Sequence, residues 1–417
     1  MTKPPMLTAQ QALDHLLSHA KPVHECEKVA MQAALGRVLA ENVDSLVDVP
    51  PLDNTSMDGY AVRTADTQNL GSILKIAQRI PAGSVGTQLE PGTAARIFTG
   101  APIPPGADAV VMQEDCAIPE GSTDQVQVNT APISGQWVRR RGEDLTAGET
   151  ALVAGTFLRP QELGVAASAG LTHLHVKRRV KVAAFFTGDE LSLPGEPLKP
   201  GGIYNSNRDT LLACLKSLGC DATDFGIVPD NLQATRETLR NASRDHDLII
   251  TSGGVSVGEE DHIKPAVTAE GRLDLWQIAI KPGKPLAFGA VRKSDNLKTG
   301  GAEAEAWFIG LPGNPVSSFV TFLLFVRPFI LKLQGRDACS PQSYPMRADF
   351  DWLKADRRNE FLRVKINAQG GLDLFPNQSS GVLTSASWGD GLVDCPPNQA
   401  VQSGDMVNYI PFNALLG

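Results

Sequence analysis

The spacing of apolar and polar residues divides the chain into segments that favour different secondary structures. Apolar residues recur at helical spacing between residues 8 and 40, and Thr8 is a suitable N-cap, so this stretch predicts an N-terminal helical segment. Between residues 44 and 137, short apolar runs alternate with Pro and Gly, which is typical of a small, mostly β domain. A further helix is predicted from about Pro160, because proline is favoured in the first helical turn.

The segment 180–333 alternates between strand and helix patterns, with glycine-containing turns. Strands are predicted at 181–186, 224–228 and 247–250, and helices at 205–218 and 232–243. This order predicts a parallel α/β domain. Ligands of such domains bind at the carboxyl ends of the strands, where Glu190, Asp230 and Asp261 are expected to lie.

The C-terminal segment, residues 334–417, contains short alternating runs such as 361–366 and Gly or Asn turns, a pattern that predicts a small β barrel or sandwich. The predicted fold class is therefore multidomain α/β plus β. Its predicted domains are residues 1–50 with 142–179, an inserted β-rich domain at 51–141, an α/β domain at 180–333, and a β barrel at 334–417.

Composition places the chain among globular proteins and excludes several classes of function. Its 417 residues exceed one ordinary core, and 42% are apolar and 20% charged. The apolar run at 319–330 is interrupted by Arg327 and Pro328, so we expect a buried helix and no membrane span. The first residues lack the pattern of a signal peptide, which favours a cytoplasmic location.

Charge and cysteine usage argue against two further classes of function, nucleic-acid binding and zinc binding. A net charge of −8 without a basic stripe argues against nucleic acid as a partner. The six cysteines form no C-x-x-C pair, so reduced, buried thiols are expected rather than zinc ligands. His262 lies within a motif but is expected to be a loop residue.

The most informative motif is the run Thr-Ser-Gly-Gly-Val-Ser-Val-Gly-Glu-Glu-Asp-His at 251–262, which follows a predicted strand directly. Its glycines permit a turn whose N–H groups hold an anion, and its acids suit a divalent cation. A tight turn followed by a solvated acidic helix start explains the same residues.

Acids accompany three other turns. Asp58 lies in a small polar loop at 50–62, Asp144 follows three arginines and a glycine at 139–144, and Glu190 follows the strand at 181–186. An Asx turn, a solvated hinge and a helix N-cap are the respective structural alternatives, and the sequence leaves them open.

Two motifs favour an anionic ligand. Lys281 and Lys284 lie on a proline-stiffened segment, and residues 310–318 expose the first N–H groups of a predicted helix, although helix capping explains the latter almost as well. Acids without His or Cys ligand sets favour a hard cation such as Mg²⁺. The chain has no P-loop and no strand-borne G-x-G-x-x-G motif, which argues against those nucleotide sites.

The stretches 53–62, 187–191, 251–261, 281–285 and 311–318 resemble the MoeA family of molybdopterin molybdenumtransferases, which is similar to the C-terminal domain of gephyrin and to plant homologues. The resemblance spans nearly the whole chain. It implies an elongated homodimer with a discontinuous N-terminal dimerisation domain, an inserted β-rich domain, a MogA-like α/β domain that binds molybdopterin, and a C-terminal barrel. The implied active site lies between the α/β domain of one subunit and the small β domain of the other.

The resemblance implies the last step of molybdenum cofactor synthesis. Molybdenum from molybdate is inserted into adenylylated molybdopterin, AMP is released, and Mg²⁺ is required. The adenylyltransferase of the preceding step and molybdoenzyme apoproteins are further partners that the resemblance suggests.

The family's functional residues correspond to named positions of this chain. The resemblance implies that Glu190, Asp230 and Asp261 organise Mg²⁺, whereas Asp58 and Asp144 order water and close the cleft. For molybdate it implies Lys281, Lys284, Arg363 and Ser380. For the phosphate groups it implies Ser252, Gly253, Gly254, Ser256, Gly258, Pro312, Gly313, Asn314 and Ser317.

Two positions depart from the family pattern. Gln277 stands where many relatives carry a basic residue, and Ser379 replaces the glycine of a Gln-Gly-Ser pattern. Two other functions are compatible with parts of the resemblance: adenylylation of molybdopterin, whose enzyme resembles the α/β domain alone, and a non-catalytic scaffold like the receptor-anchoring relative gephyrin. The flanking domains and the five acids favour the transferase.

Overall fold

The computed structural model describes residues 6–255, 262–293 and 305–416. A π-helical segment, Phe322–Val326, joins the sixth and seventh α-helices, and short 3₁₀ turns occur at Met31–Ala33, Thr64–Asp66 and Gln113–Asp115. The α-helices are α1 Ala9–His19, α2 Pro160–Ser168, α3 Ser206–Ser217, α4 Leu232–Asp245, α5 Ile263–Glu270, α6 Pro315–Thr321, α7 Arg327–Leu333, α8 Thr384–Trp388 and α9 Phe412–Leu416.

The strands are short in the first half of the chain and longer in the α/β region. They are β1 Cys26–Ala30, β2 Val43–Asp44, β3 Asn54–Thr55, β4 Gly59–Val62, β5 Ser72–Ile80, β6 Thr93–Ile97, β7 Ala109–Met112, β8 Cys116–Ala117, β9 Gln125–Val128, β10 Val138–Arg139, β11 Thr150–Leu152, β12 His173–Lys177, β13 Lys181–Thr187, β14 Leu191–Ser192, β15 Ile203–Tyr204, β16 Asp221–Val228, β17 Leu248–Ser252, β18 Gly271–Gln277, β19 Ile280–Lys281, β20 Pro285–Arg292, β21 Glu305–Leu311, β22 Tyr344–Arg347, β23 Asn359–Ile366, β24 Leu372–Leu374, β25 Gly391–Cys395 and β26 Met406–Pro411.

The described residues form two compact units. One unit is Lys28–Val176, and the other combines the described parts of Met1–Glu27 and Lys177–Gly417. We refer to them as the β-rich unit and the α/β unit. The four domain boundaries predicted from the sequence stay predictions.

The β-rich unit is organised by a six-stranded sheet in the order β7-β4-β6-β5-β9-β8. The β5–β6 pair is parallel and the other pairs are antiparallel. Val62, Leu74 and Val126 contribute to the core on one face of this sheet. The mostly β structure expected for residues 44–137 is therefore observed, and α2 begins at Pro160 as predicted.

The helix predicted for residues 8–40 is correct only in its first part. Thr8 caps α1, because its Oγ1 accepts a hydrogen bond from Gln11 N at 3.2 Å. The helix ends at His19, and the next residues are extended, as expected before Pro22. Residues 26–30 then form β1, which pairs with β12. The prediction of helix beyond residue 20 is thus wrong. Residues 26–30 form a strand because they pair with β12, which lies far away in the chain and leaves no local signal.

The α/β unit is built on a mixed sheet rather than the fully parallel sheet that was predicted. Its order is β16-β13-β17-β21-β20-β18. The first four strands are parallel, whereas β20 and β18 are antiparallel to their neighbours. The connection between β18 and β20 is too short for a crossover helix, so these strands cannot be parallel neighbours.

The stretch Pro315–Leu333 is long and apolar enough to cross a membrane, but nearly all of it is buried inside the protein. Phe322, Phe325 and Phe329 belong to the same core cluster as Leu16 of α1. The predicted buried helix at 319–330 is therefore observed.

The C-terminal residues form a sheet in the order β19-β23-β25-β26-β22, with β24 paired to β23. A bridge between Ala348 and Leu372 links the end of β22 to β24. The β structure expected for this segment is present. Strand β19 comes from the α/β region, and its Lys281 pairs with Glu360 of β23. This pairing fixes the C-terminal sheet beside the candidate site.

Candidate active site

The loops of the candidate site follow the carboxyl ends of neighbouring parallel strands. Phe186 of β13 pairs with Ser252 of β17, which in turn pairs with Leu311 of β21. The loops after these strands therefore leave the sheet at one edge, where α/β proteins bind ligands. A cavity of about 840 Å³ opens at this edge.

The cavity brings together most of the residues predicted to form the site. Ser256, Gly258 and Asp261 lie outside the described residues, so their predicted roles stay predictions. The predicted residues that line the cavity are Glu190, Asp230, Ser252, Gly253, Gly254, Lys281, Lys284, Pro312, Gly313, Asn314, Ser317 and Ser380.

Among the described residues, two carboxylates line the cavity. Glu190 follows Gly188, whose φ of +144° is unfavourable for other residues, and a Cβ at Gly188 would lie 2.6 Å from Glu190 Oε2. Asp230 follows β16, and its backbone N lies 3.5 Å from Asp189 Oδ1. The loops after β13 and β16 are therefore adjacent, which places oxygen ligands from two strand ends along one cavity.

Three cationic side chains also line the cavity. Lys281 Nζ lies 2.7 Å from Glu360 and 3.5 Å from Asp356. Arg358 donates two hydrogen bonds to Asp356, from Nε at 3.0 Å and Nη2 at 2.8 Å, and these bonds hold the pKa of Asp356 well below its usual value. Lys284 is exposed and has no ion-pair partner among the described residues. The cavity thus combines carboxylates with cationic side chains. Lys281 and Arg358 are paired with acids, whereas Lys284 is unpaired among the described residues.

The basic residues extend into a second cavity of about 580 Å³, which shares Lys284 and Arg358 with the first and is also lined by Arg357 and Asn398. Between the two lysines, Gly283 has a φ of +108°, and a Cβ there would lie 2.3 Å from Thr321 Oγ1. Only glycine fits this turn, so the spacing of the lysines depends on it.

The glycine turn after β17 is closely packed. Gly253 has a φ of +100°, and a Cβ there would lie 2.3 Å from the backbone oxygen of Thr187. Gly254 has a φ of +61°, and its Cβ would lie 2.8 Å from Ile263. The glycines predicted at this strand end are therefore required by the close approach of neighbouring backbone and side chains.

A hydrogen-bond network joins three of the lining segments. Asn207 Nδ2, in the first turn of α3, donates to Ser252 Oγ and to Gly313 O, both at 2.8 Å. Ser252 Oγ donates in turn to Pro312 O at 3.0 Å. The network therefore fixes α3 against the loops that follow β17 and β21.

The structure places Arg358, not Arg363, at the cavity. Arg363 points into the interior, where it is 1% exposed and donates to Phe361 O at 3.0 Å and Ser385 Oγ at 3.2 Å. Burial lowers its pKa to about 10. Ser379 lines the cavity together with the predicted Ser380.

One backbone N–H group that was predicted to face a phosphate donates to another residue of the chain instead. Val316 N, in the first turn of α6, donates to Ser380 O at 3.0 Å. This bond joins the loop after β21 to the C-terminal sheet. Gln277 does not line the cavity.

Asp58 and Asp144 belong to the β-rich unit. Asp58 Oδ1 accepts hydrogen bonds from Thr99 N at 2.7 Å and Thr99 Oγ1 at 2.8 Å, which lower the pKa of Asp58. Upstream of Asp144, Arg140 pairs with Asp53 at 2.6 Å. The predicted roles of Asp58 and Asp144 stay predictions.

Sequence reasoning missed Asn205, Asn207 and Arg358, all of which line the cavity. Gln378 and Ser379 also line it, and they belong to the pattern that the sequence had already singled out before Ser380. A usable signal existed for Asn205 and Asn207, because Asn205-Ser206-Asn207 stands at a predicted helix start. Among the described residues, no group of three His, Cys, Asp or Glu side chains is close enough to hold a metal ion unaided. The six cysteines are free thiols, and burial raises the pKa of Cys214 to about 12.

Comparison with known families gives matches along most of the chain. Residues 7–170 match the family described as the MoeA N-terminal region, domains I and II. Residues 183–332 match a probable molybdopterin binding domain. Residues 345–412 match the MoeA C-terminal region, domain IV.

Individual relatives are similar over nearly their full length. A molybdopterin molybdenumtransferase from Haemophilus influenzae is 39% identical over 419 residues, covering 99% of this chain and 100% of the relative. Molybdopterin molybdenumtransferase 2 from Mycobacterium tuberculosis is 37% identical, and the match covers 93% of this chain and 94% of the relative. The crystal structure of a molybdopterin biosynthesis MoeA protein from Pyrococcus horikoshii has a TM-score of 0.83 and 28% identity, covering 98% of this chain and 100% of that chain.

Proposed function

The chain belongs to the MoeA family of molybdopterin molybdenumtransferases, and we propose that it inserts molybdenum from molybdate into adenylylated molybdopterin with release of AMP. Its relatives' names support a transferase in molybdenum cofactor biosynthesis. In the proposed reaction the phosphoanhydride is cleaved, and the product is the molybdenum-loaded cofactor.

The observation that carries this proposal is the shared lining of one cavity. Glu190 and Asp230 line it together with Lys281, Lys284 and Arg358, and tight glycine turns separate these groups in the chain. A phosphoanhydride with a bound divalent cation needs oxygen ligands, whereas a tetrahedral oxyanion needs cationic and N–H donors. The cavity offers both kinds of group.

The lining residues fit Mg²⁺ as the cofactor. Mg²⁺ is usually held by one or two carboxylates, while substrate phosphates and water complete its octahedral shell. Glu190 and Asp230 would supply these carboxylates, and Asp261 is the further ligand that the family resemblance proposes. When bound, the ion would neutralise charge at the anhydride phosphates.

For molybdate, the proposed partners are Lys284, Arg358 and the serines at 379 and 380. Lys284 has no competing acid among the described residues, and one guanidinium nitrogen of Arg358, Nη1, is not used by Asp356. Lys281 is held by Glu360, so its contribution is a shared positive charge rather than a free donor. Arg363 would stabilise the loop that contains Ser379 from the protein interior, since its Nη2 donates to Ser379 O at 3.5 Å.

The remaining parts of the proposal rest on family membership. They are a homodimer with its active site between subunits, a role for Asp58 and Asp144 in ordering water and closing the cleft, and a cytoplasmic location. Molybdopterin adenylyltransferase and molybdoenzyme apoproteins are the proposed protein partners.

The test is an assay with purified protein, adenylylated molybdopterin, Mg²⁺ and molybdate. We expect AMP release that depends on molybdate, and a product that activates a molybdenum-free apoenzyme. Omission of Mg²⁺ should stop both signals.

Each alternative function gives a different result in the same experiment. An adenylyltransferase would show no molybdate-dependent AMP release in this assay, and it would release pyrophosphate when ATP and molybdopterin are supplied in its place. A scaffold would bind adenylylated molybdopterin without turnover, and either outcome would contradict the proposed reaction.

A further inference from the structure

The N-terminus of α3 carries a buried donor that the proposed mechanism does not use. Asn205 caps this helix, because its Oδ1 accepts a hydrogen bond from Arg208 N at 3.1 Å. The residue is 2% exposed and lines the main cavity. Its Nδ2 has no hydrogen-bond partner among the described residues.

The cap determines which end of the Asn205 amide is left without a hydrogen-bond partner. Reversing the amide would place its NH₂ group against the Arg208 N–H, leaving two donors facing each other. A buried amide donor without an acceptor is costly, and such groups in folded proteins normally meet a partner. Asn205 Nδ2 is thus a donor without a partner on a residue that lines the cavity.

The adjacent backbone supplies further donors. The first N–H groups of an α-helix have no intrahelical acceptors, and Asn205 satisfies only that of Arg208. The N–H groups of Ser206 and Asn207 remain, at the positive end of a 12-residue helix. Asp209 also lies in this turn, but it is exposed and lies 3.3 Å from Arg208. A buried side-chain donor and a helix N-terminus thus converge.

We infer that Asn205 and the N-terminus of α3 form a subsite for a phosphate group of the substrate. This inference rests on the proposed function and adds a phosphate-binding element beyond the glycine turn after β17. The helix provides N–H donors and a favourable dipole, and Asn205 provides a further, neutral donor.

Asn207 keeps this subsite in position. Both hydrogens of its Nδ2 are donated, to Ser252 Oγ and Gly313 O, so its side-chain amide is not available to a ligand as a donor. It instead holds the helix start against the two loops that line the cavity. The donors at Ser206 and Asn205 are consequently fixed before a ligand arrives.

The surroundings favour phosphate over molybdate. Asn205 N donates to Ser192 O, and β15 pairs with β14, which directly follows Glu190. The subsite therefore adjoins the carboxylates proposed for Mg²⁺, where a phosphate oxygen could be shared with the ion. The cations proposed for molybdate lie instead on β19, on the turn that follows it, and directly before β23.

Calorimetric titration of the full-length protein with three probes tests the subsite. The probes are AMP with Mg²⁺, adenosine with Mg²⁺, and molybdate. Asn205→Ser keeps an N-cap oxygen but removes the amide donor. We expect it to weaken AMP binding about tenfold, the effect of losing one hydrogen bond to a charged group, while adenosine and molybdate bind as before. Asn205→Asp should weaken AMP binding further, because it places a carboxylate beside the phosphate.

Asn231→Ser is the matched control. Asn231 caps α4 in the same way, with Oδ1 accepting from Ala234 N at 2.9 Å, but it is exposed and does not line the cavity. This variant should bind all three probes like the wild type. Its melting temperature measures how much stability is lost when Ser replaces Asn at a helix N-cap. Asn205→Ser should have a similar melting temperature.

Several results would overturn the subsite. They are AMP affinity unchanged within about twofold in Asn205→Ser, loss confined to molybdate, equal loss for adenosine and AMP, or no binding of any probe to the wild type. A melting temperature far below that of Asn231→Ser with loss of all ligands would indicate a structural residue and also overturn it. If AMP binding depends on Asn205 but molybdate-dependent AMP release is absent, the proposed function fails while the subsite stands.

Discussion

Two arginines five positions apart in the chain have different environments. Arg358 precedes β23 and reaches the cavity, while its guanidinium also pairs with Asp356. Arg363 lies within β23 and is enclosed by carbonyl and hydroxyl oxygens. The side-chain alternation of a strand decides which arginine faces the interior, but sequence alone does not show which face of β23 is buried.

This difference predicts opposite effects of substitution. Arg358→Gln should raise the KM for molybdate several-fold with little change in melting temperature, because a cavity charge is lost. Arg363→Met should lower the free energy of unfolding by about 1–3 kcal/mol, because it leaves buried oxygens without donors. Urea denaturation and molybdate-dependent AMP release measure the two effects. Loss of molybdate affinity in Arg363→Met at unchanged stability would contradict the assignment.

Glycine turns were predictable, because a strand followed by Gly-Gly indicates a tight turn whatever its partners are. The packing that makes Gly253 irreplaceable was not predictable, since Thr187 lies in another strand. Gly253→Ala should reduce the free energy of unfolding by about 1–3 kcal/mol through backbone strain, and reduce AMP release as the turn shifts.

The matched glycine is Gly164, which lies exposed in α2 with no atom within 4 Å of a built Cβ. Gly164→Ala should increase the free energy of unfolding by about 0.5–1 kcal/mol and leave AMP release unchanged. Equal effects of the two substitutions in chemical denaturation would show that the Gly253 environment imposes no special constraint.

At the scale of elements, local signals predicted the helices that have strong caps. Thr8 caps α1 as predicted. Helices α3 and α4 begin within one residue of the predicted positions 205 and 232, where the structure shows Asn205 and Asn231 as N-caps. The failures depend on long-range pairing. Strand β1 pairs with β12, and the antiparallel pairing of β18 with β20 follows from the short connection between these two strands, so neither could be read from periodicity.

The starts of β13 and β17 are joined by Asp247. Its carboxylate accepts from Arg178 Nη1 at 2.7 Å, Arg178 Nη2 at 2.9 Å and Lys181 N at 2.8 Å. Burial alone would raise the pKa of Asp247, but these hydrogen bonds outweigh it and lower the pKa below its usual value. The ionised carboxylate therefore stabilises the fold.

Asp247→Asn should lower the free energy of unfolding at pH 7 by about 1.5–3 kcal/mol, the range for hydrogen bonds to a charged group. A carboxylate with a lowered folded pKa stabilises above its unfolded pKa, about 3.9, and this contribution is lost as pH falls through the folded pKa. The difference between wild type and variant should thus shrink below about pH 4. Asp221→Asn, at the exposed start of β16, should change little at any pH. A pH-independent difference for Asp247→Asn would contradict the role of the charge.

At the scale of the whole molecule, changes in sequence pattern distinguished the β-rich segment from the α/β segment. They did not show that α1 packs with the distant Phe288 and Phe329 in the core of the α/β unit. Apolar side chains on a short helix fit any apolar surface, so their partners become known only from the folded chain.

The hydrophobic clusters predict how the molecule unfolds. Among the described residues, each cluster draws its members from one unit only: Leu74 belongs to a cluster of the β-rich unit, and Leu239 to a cluster of the α/β unit. Because cooperativity follows a shared core, we expect two calorimetric transitions rather than one. Leu74→Ala and Leu239→Ala each remove a buried side chain and should each cost about 2–5 kcal/mol in one unit. Each variant should lower a different transition, and a single transition lowered by both would mean that the two units unfold as one.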